Sequence, residues 1–230
     1  MDIIKKQLMD YADPKYREFT VALLPGVNNL LGVRMPILKK MAKEFAKDEM
    51  GQLFLQEPSP ETFEELMLQG LIIGNLQVDI DELLMHVDEF VNKINNWSIC
   101  DSFCANLRRQ VKENSDRFWD FIQPYILSKF EIEARFGLVM ANNFFVDDKH
   151  IYELLEQLKK AQNDAYYAQM AFAWLVSTCY VKFPEITFEF LSNVEINNQV
   201  KNKIVRKVLD SFRLKEDNKQ KLKDWAQDIV

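Results

Sequence analysis

Residues that bind metals or form disulfides are few in this sequence. Its 230 residues include two histidines and three cysteines, and no two cysteines form a Cys-x-x-Cys pair. A cage of Cys and His ligands and an even disulfide framework are therefore not expected. The sequence also lacks a glycine-rich phosphate loop and a Gly-x-Ser-x-Gly turn. We expect a protein with no metal, no cofactor and reduced thiols.

Long apolar runs, glycine and proline are scarce as well. No apolar stretch approaches the roughly 18–20 residues that cross a bilayer. Residues 1–7 lack the basic and then apolar order of a secretory signal. We therefore expect a cytoplasmic protein with no membrane contact. Six glycines and seven prolines are few for a β-rich fold with many tight turns, so the composition favours helices.

Apolar residues make up 48% of the chain and recur at helical spacing along almost all of it. Ile151, Leu154, Leu155 and Leu158, for example, follow the spacing of one helix face. The pattern predicts an all-α protein, and the absence of a linker predicts a single domain over residues 1–230. The predicted helices are 1–12, 15–24, 36–48, 60–76, 79–93, 96–113, 115–127, 130–144, 147–161, 163–181, 184–192, 196–213 and 215–228.

Prolines and capping residues mark where several of these helices are expected to begin. Pro14, Pro36 and Pro60 suit the first turn, where the missing N–H of proline has no helical partner to lose. Ser59 and Asp79 are expected N-caps.

Three predicted helices of the second half have related sequences. Residues 134–139, 171–176 and 203–209 head them at intervals of about 30–40 residues, near the period of two-helix solenoid repeats. Such pairs stack into a curved array with a concave face. An irregular helical bundle is the alternative that the pattern leaves open.

Charge is distributed unevenly along the chain. The formal net charge is −6, yet residues 201–230 hold nine Lys and Arg against five Asp and Glu. An acidic chain is not an obvious nucleic-acid binder, but binding depends on the local field. Two interpretations of the basic residues near the end of the chain are open: they contact phosphates, or they form a solvated face. These residues are Lys201, Lys203, Arg206, Lys207 and Arg213.

Trp97 and Asp101 form a candidate site near the start of a predicted helix. They are four residues apart and so share a face, which is not the face of Cys100 and Cys104. A carboxylate beside a large aromatic ring suits chemistry at a developing positive charge. A packed Trp with a solvated Asp is the simpler interpretation.

Arg135 and Trp174 are two further candidates. Arg135 interrupts a strongly apolar helix, and its simpler interpretation is a surface arginine paired with Glu131. Trp174 is flanked by Ala171 and Ala173, which allow close helix packing while the indole points elsewhere. Judged alone, Trp174 is a core residue.

Taken together, four segments resemble the DNA alkylation repair glycosylases of the AlkD-like family. The first is residues 31–43, LGVRMPILKKMAK, and the others carry Trp97–Asp101, Arg135 and Trp174 in the order and spacing of that family. The resemblance extends from about residue 15 to about residue 213. It implies a HEAT-like helical-repeat solenoid, an α-α superhelix that binds duplex DNA in its concave face.

The resemblance also implies an activity. It is hydrolysis of the N-glycosidic bond of cationic alkylated purines, such as 3-methyladenine and 7-methylguanine, by a monomer that leaves the base unflipped. Asp101 is implied as the catalytic carboxylate, Trp97 and Trp174 as contacts of the sugar-phosphate, and Arg135 as a phosphate ligand. The expected DNA-contacting residues are Arg34, Lys201, Lys203, Arg206 and Lys207.

Two alternatives remain. The first is a non-catalytic helical-repeat module for nucleic acid or a protein partner. The net acidity favours it, as do Ser177 and Thr178 after Trp174 and the pair 142–143, where the family often has basic residues. The second is thiol chemistry at Cys100 or Cys104, against which their apolar stripe predicts buried, inert thiols.

Overall fold

A computed structural model describes residues 2–161, 163–210 and 214–227 of the chain. Every regular element in these ranges is an α-helix, so the all-α prediction is confirmed. Within the same ranges, no helix is both long and apolar enough to span a membrane. The chain divides into two compact units, Met1–Arg117 and Phe118–Val230. The single domain over residues 1–230 stays a prediction.

The first unit contains eight described helices and the start of a ninth. In chain order they are α1 Asp2–Asp10, α2 Pro14–Leu23, α3 Met35–Phe45, α4 Glu49–Leu55, α5 Phe63–Ile73, α6 Ile80–Val91, α7 Trp97–Asn106, α8 Arg108–Glu113 and α9 Ser115–Ile126.

The second unit contains the rest of α9 and six further described helices. They are α10 Glu131–Phe144, α11 Ile151–Leu158, α12 Tyr166–Lys182, α13 Pro184–Asn193, α14 Asn198–Leu209 and α15 Glu216–Gln227.

Helices in each unit stack on the helix of the preceding repeat. In the first unit α3 packs on α5 and α5 on α7; in the second α10 packs on α12 and α12 on α14. Hydrogen bonds follow the same period: the Gln110 side chain reaches the Leu76 carbonyl, 34 residues away, and Lys182 reaches Val146, 36 residues away. The related segments of the sequence lie on α10, α12 and α14. The helical-repeat fold is therefore confirmed, and the irregular bundle is the wrong alternative.

Two of the three predicted proline starts are confirmed, since Pro14 and Pro36 lie in the first turns of α2 and α3. Asp79 caps α6 by accepting the Glu82 N–H at 2.9 Å, as predicted. The predicted start at Ser59 and Pro60 is wrong, because α5 begins later. Thr62 caps α5 by accepting the N–H of Glu65. The Glu65 carboxylate in turn accepts a backbone N–H just before the cap, so the Thr-x-x-Glu pattern fixes this start.

One predicted helix ends early in the structure, and another is divided. The predicted helix 36–48 ends at Phe45, and the short α4 after it was not predicted, because seven residues give little periodicity. The predicted helix 96–113 breaks at Leu107, whose ψ of 0° ends α7 before α8 begins. The Leu107 N–H is shared between the Phe103 and Cys104 carbonyls, which is typical of a helix end.

Candidate catalytic and nucleic-acid-binding site

Trp97 and Asp101 lie in the first two turns of α7. The Asn96 side chain caps this helix by accepting the Ser98 and Ile99 N–H groups at 3.0 and 3.1 Å, which makes Trp97 its first residue. Both Trp97 and Asp101 are half-buried. Their role as a site, rather than as a packed Trp beside a solvated Asp, stays a prediction.

The cysteine stripe occupies another side of α7 and its continuation. Cys100 and Cys104 are both fully buried, and so are Leu107 and Val111. This confirms that the face of Trp97 and Asp101 is separate from the apolar stripe.

Asp101 lines a cleft of about 670 Å³ in the first unit. Five cationic side chains line the same cleft, and among its described lining residues Asp101 is the sole acid. The cations are Lys39 and Lys43 of α3 and Arg108, Arg109 and Lys112 of α8.

The amphipathic pattern of α3 explains how its two lysines reach the cleft. Leu38, Met41, Ala42 and Phe45 are buried, which leaves Lys39 and Lys43 exposed one turn apart. These lysines were not among the predicted site residues, although their spacing on a polar face was a usable signal.

The positions of the cationic side chains of α8 depend on the break at Leu107. Arg108 and Arg109 follow it directly, and a guanidinium nitrogen of Arg109 donates to the Leu76 carbonyl at 3.3 Å. No local pattern indicates this break, so these arginines were not predicted as site residues, although they stand about two turns beyond Asp101.

The charge of this cleft suits a polyanion. A lone carboxylate repels a nucleic-acid backbone, but five cations around one acid reverse the sign of the local field. The net charge of −6 therefore does not describe this surface. Lys and Arg in such numbers suit contacts with the phosphate backbone of a nucleic acid, which do not depend on its base sequence.

Arg135 lies in the second unit and is 6% exposed, so the interpretation as a surface arginine is wrong. Its guanidinium donates to the Tyr167 carbonyl at 3.0 Å and lies 5.9 Å from the centre of the Tyr167 ring. The Glu131 carboxylate accepts the Tyr167 N–H at 2.7 Å. The role of Arg135 as a phosphate ligand stays a prediction.

Trp174 is half-buried on α12, whereas Ala171 and Ala173 beside it are fully buried. The close packing of the small residues is confirmed, and the indole is not part of the fully buried core. The hydroxyls of Ser177 and Thr178 donate to the Trp174 carbonyl at 2.6 and 3.1 Å. Asp101 and Trp174 belong to different units, and their action on one nucleotide stays a prediction.

Arg34 stands at the N-cap position of α3 and its side chain is 57% exposed. It donates to the Asp13 carboxylate at 2.8 Å, and its guanidinium lies 4.8 Å from the centre of the Tyr16 ring. The Tyr16 N–H and, next, the Arg34 guanidinium hold the pKa of Asp13 below its usual range. A DNA contact by Arg34 stays a prediction.

The predicted basic helix corresponds to α14. Lys203 donates to the Gln169 side chain at 3.2 Å, and Lys201 lies 5.3 Å from the centre of the Trp225 ring. Arg206 is exposed and Lys207 is half-buried. Their contacts with DNA stay predictions, and Arg213 lies outside the described residues.

Comparison with known proteins places the chain in a family. Residues 4–207 match the model of a family described as DNA alkylation repair enzyme. The chain belongs to this family. No curated protein and no solved structure matches it significantly.

The predicted resemblance to DNA alkylation repair proteins is thereby confirmed. The matched part of this DNA alkylation repair protein includes the cleft of the first unit and both candidate tryptophans. In the ranges that the structure describes, no group of three or more His, Cys, Asp or Glu side chains is arranged to hold a metal ion.

Proposed function

We propose that this chain is a DNA glycosylase that acts as a monomer on cationic alkylated purines in duplex DNA. Its substrates are bases such as 3-methyladenine and 7-methylguanine, and it uses neither metal nor cofactor. The observation that carries this proposal is the half-buried Asp101 in a cleft with five cations, in a member of a DNA alkylation repair family.

The reaction needs one carboxylate, and it needs no general acid to protonate the leaving base. An alkylated purine that already carries a positive charge leaves as a neutral base, taking the electron pair of the glycosidic bond. Positive charge develops on the sugar, and a fixed carboxylate at Asp101 stabilises it and orients the water that adds to C1′. The carboxylate accepts a proton from that water as the new C–O bond forms.

Other residues of the proposal bind rather than react. Trp97 and Trp174 pack on the sugar and phosphate of the damaged nucleotide, where an aromatic face beside a positive charge adds about 0.5–2 kcal/mol. Arg135, Arg34 and the basic residues of α14 contact phosphates. The cations of the cleft hold the backbone beside Asp101 and offset its repulsion of the phosphates.

Release of free alkylpurine from methylated duplex DNA tests the proposal. Asp101→Asn keeps the shape of the side chain but removes its charge, and we expect a roughly 10²–10³-fold fall in release rate. Asp120→Asn, at an exposed position of α9, is the matched control and should release base at the wild-type rate. If the wild-type protein frees no alkylpurine, the proposal is wrong.

A non-catalytic module for nucleic acid is the second candidate. The hydroxyls of Ser177 and Thr178 favour it, because they occupy the turn after Trp174 without providing a cation. The five-cation cleft serves binding equally well without chemistry. Salt-dependent duplex binding with no base release would select this candidate, whereas base release lost in Asp101→Asn would reject it.

A further inference from the structure

Helix α12, which carries Trp174, begins without a cap of its own. Its N-cap residue is Ala165, in an extended conformation and with no side-chain hydrogen bond. The first N–H groups of a helix have no partner within that helix, and a neighbouring polar group usually accepts from them.

The preceding repeat supplies the missing partner. Glu131, the first residue of α10, accepts the Tyr167 N–H at 2.7 Å, and Arg135 donates to the Tyr167 carbonyl at 3.0 Å. Glu131 and Arg135 are one turn apart on α10, and together they hold both polar groups of one residue of α12. Two charge-assisted bonds to one residue fix both the rotation and the axial position of a helix start.

Further contacts tie α12 to the same repeat. Asn163 accepts the Ala165 N–H at 3.0 Å and donates to the Ser128 carbonyl at 3.2 Å. At the far end of α12, Lys182 donates to the Val146 carbonyl at 2.9 Å. The Glu131–Arg135 pair is the part of this attachment that acts on the face of Trp174.

Trp174 follows Tyr167 by seven residues, which is about two helical turns. Tyr167, Met170, Trp174 and Thr178 share this face of α12, and all four are half-buried. Because a helix is rigid over two turns, a rotation of its start at Tyr167 changes the direction of the Trp174 indole.

We propose that Glu131 and Arg135 are positioning residues that hold Trp174 through the backbone of Tyr167. The consequence for catalysis rests on the proposed function, whereas the positioning of the indole does not. Glu131 separates the two roles experimentally, because a carboxylate does not itself bind a phosphate.

Fluorine NMR of protein labelled with fluorotryptophan, without DNA, tests the positioning directly. The chain has four tryptophans, and Trp174→Phe identifies the signal of Trp174. We expect Glu131→Ala to shift or broaden this signal by more than its linewidth and to leave that of Trp97 unchanged. Glu131→Gln retains an oxygen acceptor and should keep the wild-type position.

Two further variants separate positioning from simple capping. Glu133→Ala also removes a carboxylate from the first turn of α10, but Glu133 accepts from Ser128, and the Trp174 signal should not move. Ala165→Asp in the Glu131→Ala background gives α12 its own cap and keeps its first turn folded, without a tie to α10. Its Trp174 signal should stay displaced.

A Trp174 signal at the wild-type position in Glu131→Ala, or its return in the double variant, would overturn the proposal. Single-turnover base release is the second measurement. Glu131→Ala should lower it about 2- to 30-fold, no more than the whole contribution of the indole face, while duplex affinity stays within twofold. If wild-type protein releases no base, the proposed function fails and the NMR result still decides the positioning.

Discussion

The Glu64 carboxylate accepts the N–H of Gly32 at 2.7 Å and so joins the loop before α3 to α5. The same carboxylate accepts the Leu31 and Val33 N–H groups at 2.9 and 3.2 Å. Glu64 is 1% exposed, so water does not compete for these bonds. This anchor sets where α3 begins, and α3 carries the two lysines of the cleft.

Removal of the Glu64 carboxylate should therefore lower the urea concentration at which the protein unfolds. Glu64→Ala leaves three backbone N–H groups without their acceptor, and each such group costs about 1–3 kcal/mol when buried. We expect a loss of at least about 3 kcal/mol in the free energy of unfolding, measured in urea. Glu64→Gln keeps one acceptor oxygen and should lose less.

The exposed Glu44 of α3 provides the control for that measurement. Glu44→Ala should change the free energy of unfolding by no more than about 0.5 kcal/mol. A loss in Glu64→Ala as small as this would mean that the carboxylate does not hold the loop.

Gly32 is required for a second reason, and Gly26 provides a matched comparison. Both have a φ of +87°, which L side chains rarely adopt. A Cβ at Gly26 meets nothing within 4 Å, whereas a Cβ at Gly32 would meet the Asp13 carbonyl oxygen and lie 2.8 Å from the Arg17 nitrogen.

Alanine at the two glycines should separate backbone strain from steric conflict. We expect Gly26→Ala to cost about 1 kcal/mol, the usual scale for this conformation. Gly32→Ala should cost at least about 2 kcal/mol more, because the Cβ contacts are with backbone that cannot move aside. Thermal or urea unfolding measures both, and equal losses would contradict the steric argument.

The parts of the fold that sequence could predict are those set within one helix. Asp79 and the shared face of Trp97 and Asp101 were predictable, because capping and helical spacing act over a few residues. Residues 31–43 stand out as a motif, but the reason for its first residues, the anchor to Glu64, depends on a helix about 30 residues later.

The parts that sequence could not predict depend on how helices lie against each other. Periodicity identifies Arg135 as a polar residue in an apolar helix, but it does not reveal that α12 covers it. Lys39 and Arg108 share a cleft because α3 and α8 converge there, which no local pattern encodes. The break at Leu107 has the same character, since Leu107 itself is an ordinary helix former.

The three thiols should be unreactive in the folded protein. Cys100, Cys104 and Cys179 are all fully buried, and burial raises the pKa of Cys179 to about 12. At pH 8 about one Cys179 thiol in ten thousand is then ionised, and the thiolate is the reactive form. We expect an aromatic disulfide reagent to modify none of the three before unfolding and all of them in denaturant.

The raised pKa of Cys179 also predicts how the free energy of unfolding changes with pH. A thiol whose pKa is higher in the folded than in the unfolded state does not affect stability below the unfolded value, which is 9.0. As pH rises from 9.0 towards 12, the thiol ionises in the unfolded state but stays protonated in the folded state, so the free energy of unfolding falls. Modification of Cys100 or Cys104 in the native protein at the rate of a free cysteine would contradict the prediction that the thiols are unreactive and would revive thiol chemistry at α7.

The lysines of the cleft should contact DNA phosphates, and the salt dependence of binding counts such contacts. Each phosphate contact adds about 0.9 to the slope of log affinity against log salt. For undamaged duplex, we expect Lys39→Ala with Lys43→Ala to lower that slope by about one to two and to weaken binding at low salt.

Lys40 and Lys47 provide the control for charge alone. Both are exposed, Lys40 lies on α3 itself and Lys47 just beyond its end, and neither lines the cleft of Asp101. Lys40→Ala with Lys47→Ala changes the net charge by the same amount, so a long-range effect of charge would lower both affinities alike. A lower slope in the Lys39 and Lys43 variant alone places phosphates beside Asp101, where the proposed chemistry needs them. Equal slopes in the two variants would mean that DNA binds elsewhere on the protein.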